Sequence, residues 1–539
     1  MFEYEPHQHE VRGYGDGEHG KGRQFAAEAD PEEEVEEHDM QQIVHEVGSA
    51  EAQSVLCRSL LLKREVGREV VVHQEAQHVA DGIGHVYLYP VLQYPVDGIV
   101  DGSRCGAHDA ESDQFAQCLF LLHVTQNFGC KDTHFLPKIY NNSKLLVINS
   151  YLYVPLQTKN KSVMIPFNKP YCSGREQSYI QEVCQSTTMS GNGQFTKLCH
   201  GFFEKRYGFR KCLLTTSGTD ALEMCAMLCE LKPGDEVIVP SYTFVSSAIA
   251  FLREGAFIRF ADSGKDNPNI TVEAIEPLIN EKTRVIVVVH YAGVACDMDA
   301  IMALAEKHHL LVVEDAAHSI DSFYHERPLG GIGHLAAFSF HETKNINCGE
   351  GGMLVVNDER FVRRSEIIWE KGTNRAEFYR GMVNKYGWCD IGSSFLPSEF
   401  NAAFLWAQLE QLDDIQGQRR HIWERYDQAL RGHLPEGYCL PELPDYATNN
   451  YHMYYILCPS LKARTELMNY LKNNGVQTTF HYLPLHSSKY YEDKHDGRQL
   501  PNCDRYADTL VRLPLYYELK DEEIDKIVKL ILRKLSHRS

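Results

Sequence analysis

The chain has 539 residues, 43% hydrophobic and 24% charged, with a formal net charge of −20. That length exceeds one ordinary core and implies two or more domains of a soluble globular protein. The acidity excludes general nucleic-acid binding, because no Lys/Arg stripe offsets it. No run of eighteen apolar residues exists, which excludes a membrane-spanning helix.

Residues 1–163 carry 25 acids and 13 bases, and 11 of the 26 histidines. Short apolar runs at 70–72 and 86–89 have no sustained period, and 94–102 is rich in turn residues. His7, His9 and His19 lack fixed ligand spacing, so no metal is expected there. Two expectations follow: 1–163 is a poorly ordered acidic, His-rich extension, or an upstream stretch that is not native, with Met164 the natural first residue. The sixteen cysteines are scattered without a Cys-x-x-Cys pair, and Cys225 and Cys229 lack a His pair to complete a zinc site. Free thiols and a polar, acidic start fit a reducing cytosol, so a cytoplasmic protein is expected.

After Met164 the pattern becomes regular. Thr215-Thr216-Ser217-Gly218-Thr219-Asp220 opens a helix-like run with small hydroxyl residues and a Gly, the geometry in which backbone N–H groups bind a phosphate. Runs at 236–240, 284–290 and 310–313 are β-branched and suit strands buried on both faces. Helical patterns such as 299–308 lie between them, which predicts α/β architecture around a mainly parallel sheet. Ligands in such folds collect beyond the carboxyl ends of the strands. Asp315 sits at such an end. The next element, Ala337-Phe338-Ser339-Phe340-His341-Glu342-Thr343-Lys344, is an apolar run delivering Ser339 and then Lys344, with Gly349-Glu350-Gly351-Gly352 behind. A lone Lys after a strand is ordinarily a solvated charge, and a lone Asp a cap or turn residue. All three elements in this order instead read as a pyridoxal phosphate (PLP) site: a lysine amine for Schiff-base chemistry, an Asp to keep a pyridine nitrogen protonated, and a phosphate turn. From about 415 a charged helix over 408–431, a strand at 454–457 and helices over 464–473 and 521–535 predict a smaller α+β domain. The domains expected are thus 164–414, which binds PLP, and 415–539.

With those residues placed, 164–539 resembles the sugar aminotransferases of the DegT/DnrJ/EryC1/StrS family. Met164-Ile165-Pro166-Phe167, Val239-Pro240-Ser241-Tyr242-Thr243-Phe244, Glu314-Asp315-Ala316-Ala317-His318 and Ser398-Glu399-Phe400-Asn401 carry the likeness further. The resemblance implies a PLP-dependent transferase type I (aspartate aminotransferase-like) fold. It implies that Lys344 holds PLP and moves the proton, and that Asp315 binds the pyridine nitrogen. Gly218, Thr219 and Ser339 would hold the phosphate. Phe244 would stack on the ring or be a core aromatic; His318 would lie near the phenolic oxygen or be a buried structural His. Relatives place a partner subunit's Asn on the phosphate within a Gly-x-Asn motif. Here Gly392-Ser393-Ser394 puts Ser394 at that position, which implies a homodimer or higher homo-oligomer with shared sites. His341, Tyr482 and His486 resemble positions facing the sugar nucleotide, and Arg375 and Lys385 are candidates for its diphosphate. For each of these five the alternative is an ordinary loop or interface residue.

Within the family the likeness is to members that aminate dTDP-4-dehydro-6-deoxy-D-glucose with L-glutamate. These give dTDP-4-amino-4,6-dideoxy-D-galactose and 2-oxoglutarate for enterobacterial common antigen synthesis. Amination at C3 of the sugar remains open. Lys344 argues against the family's dehydratases, which carry His there, and the intact Lys, Asp and phosphate turn argue against a non-catalytic scaffold.

Overall fold

The computed structural model describes residues 164–536. The expected extension at 1–163, with His7, His9 and His19, lies outside the described residues. The strands are β1 (Lys211–Thr215), β2 (Glu236–Pro240), β3 (Phe257–Ala261), β4 (Thr283–Val289), β5 (Leu311–Asp315), β6 (Phe323–Tyr324), β7 (Arg327–Pro328), β8 (Leu335–Ser339), β9 (Gly352–Val356), β10 (Tyr455–Leu457) and β11 (Leu510–Arg512). Seven form one sheet in the order β1-β9-β8-β5-β4-β2-β3. Only β9 runs against its neighbours in that sheet, so the expected mainly parallel α/β architecture is present.

Alternation along the strands divides the core. Val237 and Val239 of β2 face one apolar layer, with Phe251 and Leu222, while Ile238 faces the other, with Ile301. Both layers are covered by helices: α1 (Arg175–Gln185), α2 (Gln194–Tyr207), α3 (Gly218–Leu228), α4 (Ser246–Arg253), α5 (Met298–Lys307) and α6 (Glu359–Trp369). A short α7 (Arg375–Tyr379) precedes α8 (Glu399–Leu409) and α9 (Leu412–Leu430). The expected helix over 408–431 is α9, which starts four residues later than expected because a break at 410–411 separates it from α8. Glu410, at the break, spends its carboxylate on Arg175 and Tyr179. Asp413 and Asp414 favour a new helix start by offsetting its positive end.

The C-terminal elements α10 (Leu461–Asn473), α11 (Pro501–Thr509) and α12 (Asp521–Ser536) join the β10–β11 pair. Ile422, Tyr426, Leu467, Ile527 and Ile531 pack there into one apolar cluster, with Ile165 from the other end of the described chain.

The register sets up the site. Thr215 pairs with Gly352, Gly352 with Ser339, Asp315 with Ala337 and Val289 with Asp315. One end of the sheet thus joins the 215–219 turn to Asp315, Ser339 and the glycine turn, which follow it roughly a hundred or more residues later in sequence.

Candidate active site

Period-two alternation points Glu314 and Asp315 to opposite faces of β5. Glu314 is fully buried and accepts hydrogen bonds from His290 Nε2 (2.9 Å), Gly330 N (2.7 Å) and Ile332 N (2.8 Å). Burial pushes its pKa up, but these donors outweigh burial and hold the carboxyl below its usual range. The strand end is thereby pinned from behind. On the other face the Asp315 carboxylate accepts from Ser247 Oγ (2.6 Å) and Ala317 N (3.1 Å).

Beside it, Ser217 caps α3 by accepting from Asp220 N (3.0 Å). A Cβ on Gly218 would stand 2.8 Å from Ser339 Cβ, and one on Gly352 would stand 2.2 Å from the Ser217 carbonyl oxygen. Only glycine allows these segments to lie side by side, so backbone N–H groups and the Ser339 hydroxyl share one small cradle. Thr219 Oγ1 meets Ser246 Oγ at 2.8 Å, which adds the start of α4 to the cradle. Two helix N-termini with hydroxyl donors suit a phosphate.

Lys344 follows β8 in the tight turn 341–344, closed by Lys344 N donating to His341 O (2.9 Å). Burial lowers its amine to a pKa of about 8, the Asp315 carboxylate opposes this, and the Arg512 cation reinforces it. Some of its surface stays open to the cleft. An amine that sheds its proton near neutrality is what imine formation and proton transfer require.

Three imidazoles line the floor. His318 Nδ1 accepts from Ala292 N (3.3 Å), which leaves the proton on Nε2, 3.5 Å from Tyr482 Oη. His452 stacks on His318 with centroids 4.4 Å apart, and its Nδ1 meets Asn345 Oδ1 at 2.7 Å. His481 Nε2 accepts from Arg512, and its Nδ1 meets Tyr291 Oη at 3.2 Å. Burial drives all three well below the ordinary His pKa, with the Lys344 and Arg512 cations adding to it. They are neutral.

Lys344 lies within electrostatic reach of Asp315 and His318, Tyr482 touches His318, and the cradle of Ser339, Gly218 and Thr219 lies at the same strand ends. Phe244 is 59% exposed, so it is no core aromatic; its ring is tilted toward Tyr482 at 6.3 Å. His341 is half-buried, with Nδ1 on Thr343 Oγ1 (2.9 Å) and Nε2 3.7 Å from Glu350. His486 does not face the pocket chemistry: its Nδ1 is spent on Ser241 Oγ (2.8 Å) and its Nε2 lies 3.6 Å from Asp504. Arg375, Lys385 and Ser394 are not gathered around Lys344 within one chain. Arg375 donates to Tyr379 Oη (2.7 Å) and, with Ser394, lines a separate cavity of about 1060 Å³. Lys385 is exposed on the hairpin beyond α7.

Sequence reasoning missed Ser247, Asn345, His452, His481 and Arg512. Arg512 alone carried a signal, a cation inside the apolar run Leu510-Val511-Arg512-Leu513. The others become neighbours only through the fold. Among the described residues no cluster of three or more His, Cys, Asp or Glu could hold a metal, and Cys225 and Cys229 are free thiols.

The donor set fits PLP: a cradle that a Cβ would fill, a pinned carboxylate and a low-pKa amine. This defines an aminotransferase-like site on an α/β fold. The comparisons agree. The model of the DegT/DnrJ/EryC1/StrS aminotransferase family matches residues 170–532, and the chain belongs to that family. It is a PLP-dependent sugar aminotransferase. The spore coat polysaccharide biosynthesis protein SpsC of Bacillus subtilis is 31% identical over 386 residues, 69% of this chain and 97% of SpsC. The solved aminotransferase TlmJ of Streptoalloteichus hindustanus superposes with a TM-score of 0.65 at 28% identity, covering 70% of this chain and all of TlmJ. Spr1654 of Streptococcus pneumoniae, solved in its PLP form, gives 0.64 at 25% identity, over 70% of this chain and 99% of its own.

Proposed function

We propose that the protein transfers the amino group of L-glutamate to C4 of a 4-keto-6-deoxyhexose carried on a nucleoside diphosphate. The dTDP-linked sugar is our first choice of substrate, with dTDP-4-amino-4,6-dideoxy-D-galactose the product. The observation that carries the reading is Lys344, with its pKa of about 8, in the same pocket as Asp315 and the phosphate cradle. SpsC, a polysaccharide biosynthesis protein, supports a sugar destined for a surface polysaccharide; the antigen named above is the one the resemblance favours.

Lys344 would carry the cofactor, and PLP, when bound, supplies an electron sink for the carbanion left when the C–H bond beside the amine breaks. The chain's own residues do the rest. The Lys344 amine takes a proton from the donor's Cα and delivers one to the sugar carbon. Asp315, locked by Ser247 and Ala317, would hold a proton on the cofactor's ring nitrogen. Ser339, Thr219 and the Gly218 N–H would hold the phosphate, and Phe244 would cover the ring. His318, neutral with its proton on Nε2, would donate toward the ring's phenolic oxygen. Tyr482 and His341 would contact the sugar.

We further propose that 164–414 and 415–539 are separate domains, that the enzyme works in the cytoplasm, and that it is a homodimer. Among the described residues no helix is long and apolar enough to cross a membrane. In the dimer, Ser394, Arg375 and Lys385 would serve the second chain's pocket.

The test is product analysis. Purified protein is expected to show a yellow band that glutamate bleaches. Offered dTDP- and UDP-linked 4-ketosugars, it should yield a 4-amino sugar identifiable by NMR. Amination at C3, or no amination of any ketosugar, overturns the reading.

A further inference from the structure

Glu314 is fully buried, and the donors on its carboxylate come from two separate places. From the end of β4, His290 Nε2 donates at 2.9 Å; Cys296 N donates to His290 Nδ1 (3.1 Å), which leaves the ring proton on Nε2. From the loop that leads into β8, Gly330 N (2.7 Å), Ile332 N (2.8 Å) and Gly333 N (2.5 Å) donate. Among the described residues no Lys or Arg forms an ion pair with it.

Glu399 is the internal control. It is 2% exposed and likewise collects N–H donors, from Gly193 (3.0 Å), Phe195 (2.7 Å) and Thr196 (3.2 Å). All of them belong to the start of α2, so that carboxylate caps one helix. Glu314 instead joins two segments that deliver different parts of the site. β4 runs on into Tyr291 of the pocket floor, and β8 runs on to Ser339 and Lys344.

The joint leaves little slack. His290 N also donates to the Asp315 carbonyl (3.4 Å), so one residue holds both Glu314 and Asp315. The carbonyls of the loop are spent as well: Asn357, just past β9, donates from Nδ2 to Gly330 O and Gly333 O, each at 2.9 Å. Gly330 has φ +84°, and a Cβ there would stand 2.4 Å from the Phe338 ring of β8. The loop is thus pressed onto β8 while its N–H groups grip β5. Successive residues of a strand face opposite sides, so what fixes Glu314 from behind fixes the Asp315 carboxylate in front.

We propose that Glu314 is a positioning residue for the reaction: by drawing the end of β4 and the lead-in to β8 around one carboxylate, it sets the span between Asp315 and Lys344 that the cofactor would bridge. This rests on the transamination reading above. The test uses the cofactor-free chain and the pH midpoint at which Lys344 becomes open to acylation. In the wild type that midpoint lies near 8, where burial pushes the amine down and the Asp315 carboxylate pushes back. Glu314→Gln keeps the shape and gives up the grip. Asp315 should then drift from the amine and the midpoint fall by roughly 0.5 to 1 unit, part of what a neighbouring opposite charge supplies. In an Asp315→Asn background the same change should add nothing, because no charge is left to misplace. Asn357→Ala frees the loop's carbonyls and leaves the carboxylate whole; it should act in the same direction by less. In the loaded enzyme, Glu314→Gln should lower turnover about 10- to 100-fold, the cost of a misplacement of around an ångström. The KM for the ketosugar should change less than about twofold. An unmoved midpoint in Glu314→Gln, or in Asn357→Ala where the first variant does not fold, overturns the proposal. So does an equal fall with and without the Asp315 charge, which would mean that Glu314 acts through its own field and not through position. The non-additive shift with no ketosugar aminated would instead keep this role for Glu314 and sink the transamination reading.

Discussion

Two regions carry the expected site residues, and they are built in opposite ways. Around Lys344 the polar groups are buried and paired, and the neighbours come from β5, β8, α4, β11 and the loops at 291, 450 and 481. Around Ser394 the surface is open and ion-paired. Glu366 bridges Lys211 (2.9 Å) and Arg380 (2.6 Å), Trp388 is 87% exposed, and Met382 and Ile391 are each 67% exposed. The first region gathers Lys344, Asp315 and the 217–219 turn within one chain. The second carries large apolar side chains open to solvent beside its ion pairs, as a docking surface would.

The sharpest way to break that contrast is Lys344→Ala. It should cost at least about 10⁴-fold in turnover, the upper range for a positioned acid–base group, and abolish the borohydride-stable PLP adduct on peptide mapping. In the cofactor-free chain, acylation of Lys344 should rise to a plateau with a midpoint near pH 8, set by burial. Lysines of ordinary pKa should still be gaining rate above pH 10.

Next comes Asp315→Asn, expected to lower turnover about 10²- to 10³-fold through loss of one preorganised charge. Ser247→Ala should be milder, about tenfold in cofactor affinity, as expected for a hydrogen bond to a charged group. A Ser247→Ala effect as large as that of Asp315→Asn would show that orientation outweighs charge.

For the exposed region, Trp388→Ser with Ile391→Ser should halve the apparent mass in size-exclusion chromatography, and Ser394→Ala should weaken PLP about fivefold through one lost neutral hydrogen bond. Wild type eluting at the mass of one chain would end the comparison.

The smallest effect is on stability. His318 and His452 ionise ordinarily near 6.5 and lie well below that when folded, because burial disfavours the cation. The unfolded chain therefore binds more protons as the solution acidifies. Their contribution is complete above about pH 6.5 and is lost progressively below it. The melting midpoint should fall by at least about 2 °C between pH 7.5 and 5, and His452→Gln should flatten that slope.

Much of this was legible in sequence because it is local. Strands buried on both faces announce themselves as β-branched runs, so 236–240, 284–290 and 310–313 read correctly. Lys344, Asp315 and the 217–219 turn stood out because each follows such a run with a side chain that suits one role. Three kinds of feature were not legible. The antiparallel sense of β9 depends on its partners, not on its composition. The break between α8 and α9 falls in residues of good helix propensity and is set by the ties of Glu410. The floor of the pocket joins Tyr291, His318, His452, His481 and Arg512, whose spacing in sequence carries no period. His486, which looked like a substrate contact, is tied to Ser241 for the same long-range reason.

Asn345 has one further consequence. Its amide nitrogen donates to Gln416 Oε1 and to Asn450 O, both at 2.8 Å, so only its oxygen is left for His452. Gln416 also donates to Asn450 O (3.3 Å), and Asn450 in turn holds the carbonyls of His318 and Ile320. The residue next to the reactive lysine is thereby bolted to the long helix of the C-terminal half without slack. A jaw-like swing of that half would tear five buried bonds at once, so opening of the site to a large substrate falls to side chains and rim loops while the frame stays still.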